Sequence, residues 1–235
     1  KRVVVVTGGA SGLGAATCNE LGAAGARVVV ADLAAERAQR CASRLKESGI
    51  EARAAAVDVG DEEQVRRLFD TAIDRFGAVD AVVNSAAIDV TAPIAELSAA
   101  DWERIVRTNL NGVFLVARRA CAAMRERGGA IVNIASTASK RAWPNASAYH
   151  ATQWGVLGLS HALHAELRPQ GIKVCAIVAG GMRTPFLLDR FPDIDPSLLQ
   201  DPRNIARAIR FVLEQPAETV IPEMMVLPMR ETSWP

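Results

Sequence analysis

Four consecutive valines, Val3 to Val6, run directly into Thr7-Gly8-Gly9-Ala10-Ser11-Gly12-Leu13-Gly14, and this junction leaves few folds open. A β-branched apolar run suits a strand buried on both faces of a parallel sheet. The glycines follow without a spacer and lead into a helical stretch over residues 15–24. A tight turn between such a strand and helix lets the backbone approach a pyrophosphate, which then lies against the helix amino terminus. Gly8, Gly12 and Gly14 carry this reading, in the spacing T-G-x-x-x-G-x-G. A glycine turn by itself also occurs in ordinary loops.

A second strand, over residues 27–31, ends at Asp32, eighteen residues beyond Gly14. A carboxylate there can accept hydrogen bonds from both hydroxyls of an adenosine ribose and repels a 2′-phosphate. The glycine turn holds no Lys or Arg to attract one. Both points favour NAD over NADP. Asp32 is also placed to cap a helix over 33–48, and the two roles are compatible.

Half of the 235 residues are hydrophobic, enough for one substantial core. Strand-like and helix-like segments alternate with no composition shift, repeat or low-complexity linker. This predicts an α/β fold in a single domain over residues 1–235: a Rossmann-type, doubly wound parallel sheet of about seven strands with helices on both faces. The formal charge of +1 gives no electrostatic footprint for nucleic acid. Arg118-Arg119 and Lys140-Arg141 read as solvated pairs. No apolar stretch approaches the ~20 residues that span a bilayer, so no membrane association is expected. No signal-peptide pattern precedes the first strand, although the chain opens almost on it and a short leader is compatible with that. Cys18, Cys41, Cys121 and Cys175 match no zinc or redox spacing, so a reducing, cytoplasmic setting is expected. His161 and His164 could share a metal across one helix face, but no third ligand is in view and no metal site is expected.

With these motifs and those that follow, the chain resembles the short-chain dehydrogenase/reductase family over essentially its whole length. Asp58-Val59, after a third strand over 51–57, matches the family's adenine-contacting acidic position. Asn84-Ser85-Ala86-Ala87, after a fourth strand over 79–83, is similar to its N-N-A-G element with two departures. Asn109 falls in a helix expected over 101–125, where the family places a structural asparagine. Ser136 ends a fifth strand over 130–135, and Tyr149 follows thirteen residues later. Ala179-Gly180-Gly181-Met182-Arg183-Thr184, closing a sixth strand over 172–178, resembles the P-G-x-x-x-T segment beside the nicotinamide, with alanine for proline. The resemblance implies NAD held by Gly8, Ser11, Gly12, Leu13, Gly14, Asp32, Leu33, Asp58, Val59, Asn84, Ala86, Tyr149, Gln153, Gly180, Met182 and Thr184. It also implies a homodimer or homotetramer paired through long helices, with the tail 230–235 a candidate to reach a neighbouring subunit.

The same resemblance gives catalytic roles to Asn109, Ser136, Tyr149 and position 153. Hydride moves between nicotinamide and a small-molecule substrate while the tyrosine hydroxyl exchanges a proton with the substrate oxygen. The serine hydrogen-bonds that oxygen, and the asparagine helps hold a water relay. Tyr149 is the only tyrosine in the chain. The family's Tyr-x-x-x-Lys, however, becomes Tyr149-His150-Ala151-Thr152-Gln153.

Glutamine can still hydrogen-bond a nicotinamide ribose, but it brings no charge to lower the tyrosine pKa. An unperturbed tyrosine, with a pKa of about 10, is roughly 0.1% phenolate at pH 7. Oxidation, which needs the phenolate, suffers more than reduction. His150 faces another direction on its helix. Lys140 or Arg141 could fold back to replace the charge, and an oxidised nicotinamide supplies part of it.

Three readings stay open. One is a working NAD-dependent oxidoreductase that interconverts hydroxyl and carbonyl on a small, largely apolar substrate. Another is a disabled form, either a nucleotide sensor or a lysine-to-glutamine variant. The third is a non-redox enzyme such as a cyclase or dehydratase with Tyr149 as acid.

Residues 182–200 are expected to form a substrate lid, too broken by Pro192 and Pro196 for one long helix. Met182, Phe186, Leu187, Leu188 and Phe191 suit an apolar substrate and equally suit packing of the domain. A helix over 202–215 and a strand over 219–227 close the fold.

Overall fold

The computed structural model describes residues 1–231, so residues 232–235 of the tail considered above lie outside the described residues. Among the described residues, the strands are β1 (Val3–Thr7), β2 (Arg27–Asp32), β3 (Ala52–Ala56), β4 (Ala81–Asn84), β5 (Gly129–Ser136), β6 (Ile172–Ala179) and β7 (Glu223–Val226). They form one sheet in the order β3-β2-β1-β4-β5-β6-β7, with every pairing parallel. The chain winds outward from β1 in one direction and then restarts at β4 beside it. A crevice opens beyond the carboxyl ends of the strands at that reversal, the usual place for a ligand in an open α/β sheet.

The helices are α1 (Gly12–Ala23), α2 (Ala35–Glu47), α3 (Glu62–Phe76), α4 (Ala99–Val106), α5 (Gly112–Met124), α6 (Ser147–Leu167), α7 (Pro185–Leu188) and α8 (Pro202–Leu213). Side chains alternate across the sheet, and β1 shows how its valines serve both faces. Val4 and Val6 pack into a core with Leu21, Leu45 and Ile209 of α1, α2 and α8. Val5 packs on the opposite face with Phe69 and Val116 of α3 and α5. Each fully buried valine contributes about 1.5–3 kcal/mol relative to exposure. The apolar runs of the central strands follow directly from this two-sided cover.

Four of the boundaries that differ from expectation have a local cause. α1 starts at Gly12 rather than Ala15, because the last glycines of the turn already supply its first turn. α2 begins only at Ala35, with Ala34 at the cap position, so Asp32 does not cap it. The helix expected over 101–125 is α4 and α5 joined through a π-turn over Arg107–Asn111; such turns often mark functional positions. β7 is shorter than expected because it begins after Pro222, which has no N–H for the ladder.

Candidate active site

At the carboxyl end of β1, Gly12 takes a φ of +48°, which side chains other than glycine rarely adopt. Two residues on, a Cβ at Gly14 would lie 2.0 Å from the Gly8 carbonyl oxygen. The turn therefore folds against the start of α1 only because that position carries no side chain. Ser11 precedes α1 without capping it through its side chain, so N–H groups of the first turn remain available to an anion.

Asp32 closes the same crevice from β2. It is 8% exposed. One carboxylate oxygen accepts from the Ala10 N–H at 3.1 Å and the other from the Ala34 N–H at 3.0 Å. Each oxygen retains a lone pair for a further donor. Asp58 accepts from the Gly60 N–H at 2.9 Å and pairs with Arg107 at 2.8 Å. Gly8, Ser11, Gly12, Leu13, Gly14, Asp32, Leu33, Asp58, Val59 and Ala86 all line one crevice of about 530 Å³. Arg37 lines it too, a residue of α2 that belongs to no sequence motif and so carries no signal of its own.

A second cavity, of about 510 Å³, lies beside this crevice. Ser136, Gln153 and Gly180 line it, and Tyr149, Met182 and Thr184 line both spaces. The strands explain the convergence: Ser136 pairs in register with Ala179 at the ends of β5 and β6, and α6 carries Tyr149 and Gln153 across them. Ser136 turns its hydroxyl into the loop that follows, accepting from the Ala138 N–H at 3.2 Å.

Burial pushes the Tyr149 hydroxyl up to about 12, against a lowering by its hydrogen bond with Ser136. Asp89 raises it further and Arg190 lowers it. Gln153 is 2% exposed, and its Oε1 is buried with no hydrogen-bond partner among the described residues. An orphaned acceptor costs stability unless a donor reaches it. A ribose hydroxyl is such a donor, so Gln153, the glycine cradle and Asp32 together fit a nicotinamide dinucleotide.

Two expected site residues stay out of both spaces. Asn84 donates to Asn133 at 2.9 Å, and Asn133 donates to Ser160 at 2.9 Å, a buried chain tying β4, β5 and α6 together. Asn109 is 1% exposed, and its amide accepts from the Ile88 N–H and donates to the Ile88 carbonyl, both at 2.8 Å. It also donates to Thr152 at 3.3 Å. Its side chain thus holds the loop after β4 against α6.

Neither basic residue proposed to replace the lysine reaches the cavity. Lys140 pairs with Glu223 at 2.8 Å, and Arg141 is absent from the lining. His150 lies between the Ala138 carbonyl at 2.9 Å and the Trp143 N–H at 3.2 Å. The cation that does line the cavity is Arg190, paired with Asp89 from the loop after β4. Sequence reading missed both, because nothing local to either residue announces a partner 101 positions away.

The family profile described as short chain dehydrogenase matches residues 2–195. The chain belongs to the short-chain dehydrogenase family. It is therefore an oxidoreductase of a family that interconverts hydroxyl and carbonyl groups with a nicotinamide cofactor. It is 36% identical over 231 residues to the cis-4-hydroxycyclohexanecarboxylate dehydrogenase of Sinomonas cyclohexanicum, covering 94% of this chain and 92% of that one. Among solved structures, a variant of actinorhodin polyketide ketoreductase with NADPH superposes with a TM-score of 0.92 at 30% identity, covering 98% of this chain and 97% of the other. The 3-ketoacyl-(acyl-carrier-protein) reductase of Brucella melitensis complexed with NADH gives 0.90 at 30% identity, covering 97% and 98%. Among the described residues of this short-chain dehydrogenase, no helix is long and apolar enough to cross a membrane, and no cluster of His, Cys, Asp or Glu could hold a metal ion.

Proposed function

We propose that this protein is an NAD-dependent oxidoreductase acting on a small, largely apolar alicyclic ketone or alcohol, and that it works better as a reductase. The observation that carries the reading is the position of Tyr149 at the junction of the two spaces, with Ser136 beside it in the lining of the cavity. A nicotinamide, when bound, supplies or accepts the hydride. Tyr149 gives its proton to the substrate oxygen in reduction, and Ser136 orients that oxygen. Gln153 accepts from the nicotinamide ribose. Asp32 and the glycine turn favour NAD, since the carboxylate repels a 2′-phosphate.

A hydroxyl held near 12 is a proton donor at neutral pH, which favours reduction over oxidation. The segment 182–200 acts as the substrate lid. A bridge between Met182 and Gln200 pins its two ends, and Phe186, Leu187 and Phe191 from it line the cavity. The apolar side chains among the cavity lining suit an alicyclic substrate, as in the name of the Sinomonas relative.

The four free cysteines fit a cytoplasmic setting. Exposed Phe114 on α5 and Trp154 on α6 fit pairing into a homodimer or homotetramer through the long helices.

The test is NADH oxidation at 340 nm with cyclohexanone and substituted cyclohexanones, with NADPH in parallel. Tyr149→Phe is expected to lower turnover by about 10²–10⁴ while leaving NADH binding intact. Turnover that survives this change would overturn the mechanism, and product formation without any change at 340 nm would point to a non-redox reaction.

A further inference from the structure

The cavity beside Tyr149 is walled by apolar side chains, yet an ion pair sits in it. Arg190 and Asp89 are the pair, and Asp89 has only 3% of its side chain exposed. A buried pair of this kind is poor evidence for stability, since desolvating two charges offsets their attraction. Its geometry is better explained by recognition. Arg190 is held from several sides: Nε donates to the Phe186 carbonyl at 2.7 Å, Nη1 donates to Asp89 Oδ2, and the guanidinium lies 4.2 Å from the Phe186 ring centroid. No described residue takes a hydrogen bond from Nη2. Asp89 Oδ1 is buried with no hydrogen-bond partner. One unused donor and one unused acceptor therefore belong to a single fixed pair. The Phe186 ring touches both groups, its centroid being 4.2 Å from the guanidinium carbon and 5.7 Å from the Tyr149 ring centroid.

We propose that the Arg190–Asp89 pair recognises a neutral hydroxyl on the substrate, remote from the reacting carbonyl. The hydroxyl donates to Asp89 Oδ1 and accepts from Arg190 Nη2. A carboxylate is disfavoured at the same place, because it has no proton to give and meets the Asp89 charge. Glu231, the third charged residue lining the cavity, is turned to the Gly181 N–H at 3.0 Å. The inference rests on the reading of this cavity as the substrate site.

The experiment measures dissociation constants of cyclohexanone, 4-hydroxycyclohexanone and 4-oxocyclohexanecarboxylate by calorimetry, with and without NADH, for the unaltered protein and Arg190→Met. The hydroxy ketone is expected to bind at least about tenfold more tightly than cyclohexanone, the lower end of what even one of its two hydrogen bonds to charged groups contributes. Arg190→Met is expected to erase that advantage, so that the hydroxy ketone and cyclohexanone bind the variant within about twofold of each other. The proposal is overturned if the carboxylate binds tightest, if the variant weakens all three ligands alike, or if none of them binds. Turnover followed at 340 nm separates the two readings. A selective binding difference without turnover sinks the catalytic reading alone, and turnover without that difference sinks the hydroxyl site alone.

Discussion

Asp89 and Arg190, paired with each other in the cavity, act on Tyr149 with opposite effects, the carboxylate raising its pKa and the guanidinium lowering it. The pair therefore does not replace the charge of the lysine that the family carries at position 153. With the hydroxyl near 12, only on the order of one molecule in 10⁵ carries the phenolate at pH 7. The sign follows from which form each direction uses. Oxidation needs the deprotonated form, so its rate is expected to rise about tenfold per pH unit up to the tyrosine pKa. Reduction uses the protonated form and is expected to stay flat over the same range. Initial rates in both directions from pH 6 to 10 check this, and a plateau in oxidation below pH 9 would contradict it.

Restoring the lysine should move that profile. Gln153 is buried beside the cavity, and a cation within a few ångströms of a phenol favours the charged form. Gln153→Lys is expected to increase oxidation at pH 8 by about tenfold or more, one pKa unit being a factor of ten. Its reductive rate should change less. Equal acceleration in both directions would mean that the substitution acts on nucleotide binding instead, which a titration with NADH would detect.

The fold was largely legible because its signals are local and repeated. Val3 to Val6, the glycine turn and Asp32 each fix a short stretch of chain, and the crevice is built from their direct succession. What was not legible depends on contacts between distant segments. Asp89 and Arg190 meet only because β4 and the segment after β6 converge, and neither residue has a distinctive neighbour in sequence. Asn84 is expected just after the fourth strand and instead ends β4, and Asn109 is expected within one continuous helix and instead lies in the π-turn. Their amides point to Asn133 and Ile88, contacts that require the sheet and the loop to be assembled first. The start of α1 was read late because glycine ordinarily disfavours helix, whereas here the close approach at Gly14 requires it.

Asp32 has two tasks that a single substitution can separate. It accepts from two backbone N–H groups, and its charge is proposed to exclude a 2′-phosphate. Asp32→Asn keeps one acceptor and removes the charge. The NADPH-to-NADH ratio of kcat/KM is expected to rise by about tenfold or more, and stability to fall by about 1–3 kcal/mol because one buried N–H loses its acceptor. Thermal unfolding and paired kinetics measure the two effects independently. A drop in stability with no change in cofactor ratio would assign Asp32 to the loop alone.

Asn133 sits between Asn84 and Ser160 in the buried chain across β4, β5 and α6. It is fully buried, and so is Ser160, whose hydroxyl passes the chain on to the Val156 carbonyl at 2.6 Å. Asn133→Ala removes the acceptor of one neighbour and the donor of the other at once. A loss on the order of 3 kcal/mol is expected, since each orphaned buried group costs about 1–3 kcal/mol. The residues lining the two spaces do not include Asn133, so the KM of the folded fraction should hardly move. Denaturant unfolding together with KM at a permissive temperature tests this. A large KM change at unaltered stability would place the chain of amides in substrate or cofactor binding rather than in holding α6, and with it Tyr149, against the sheet.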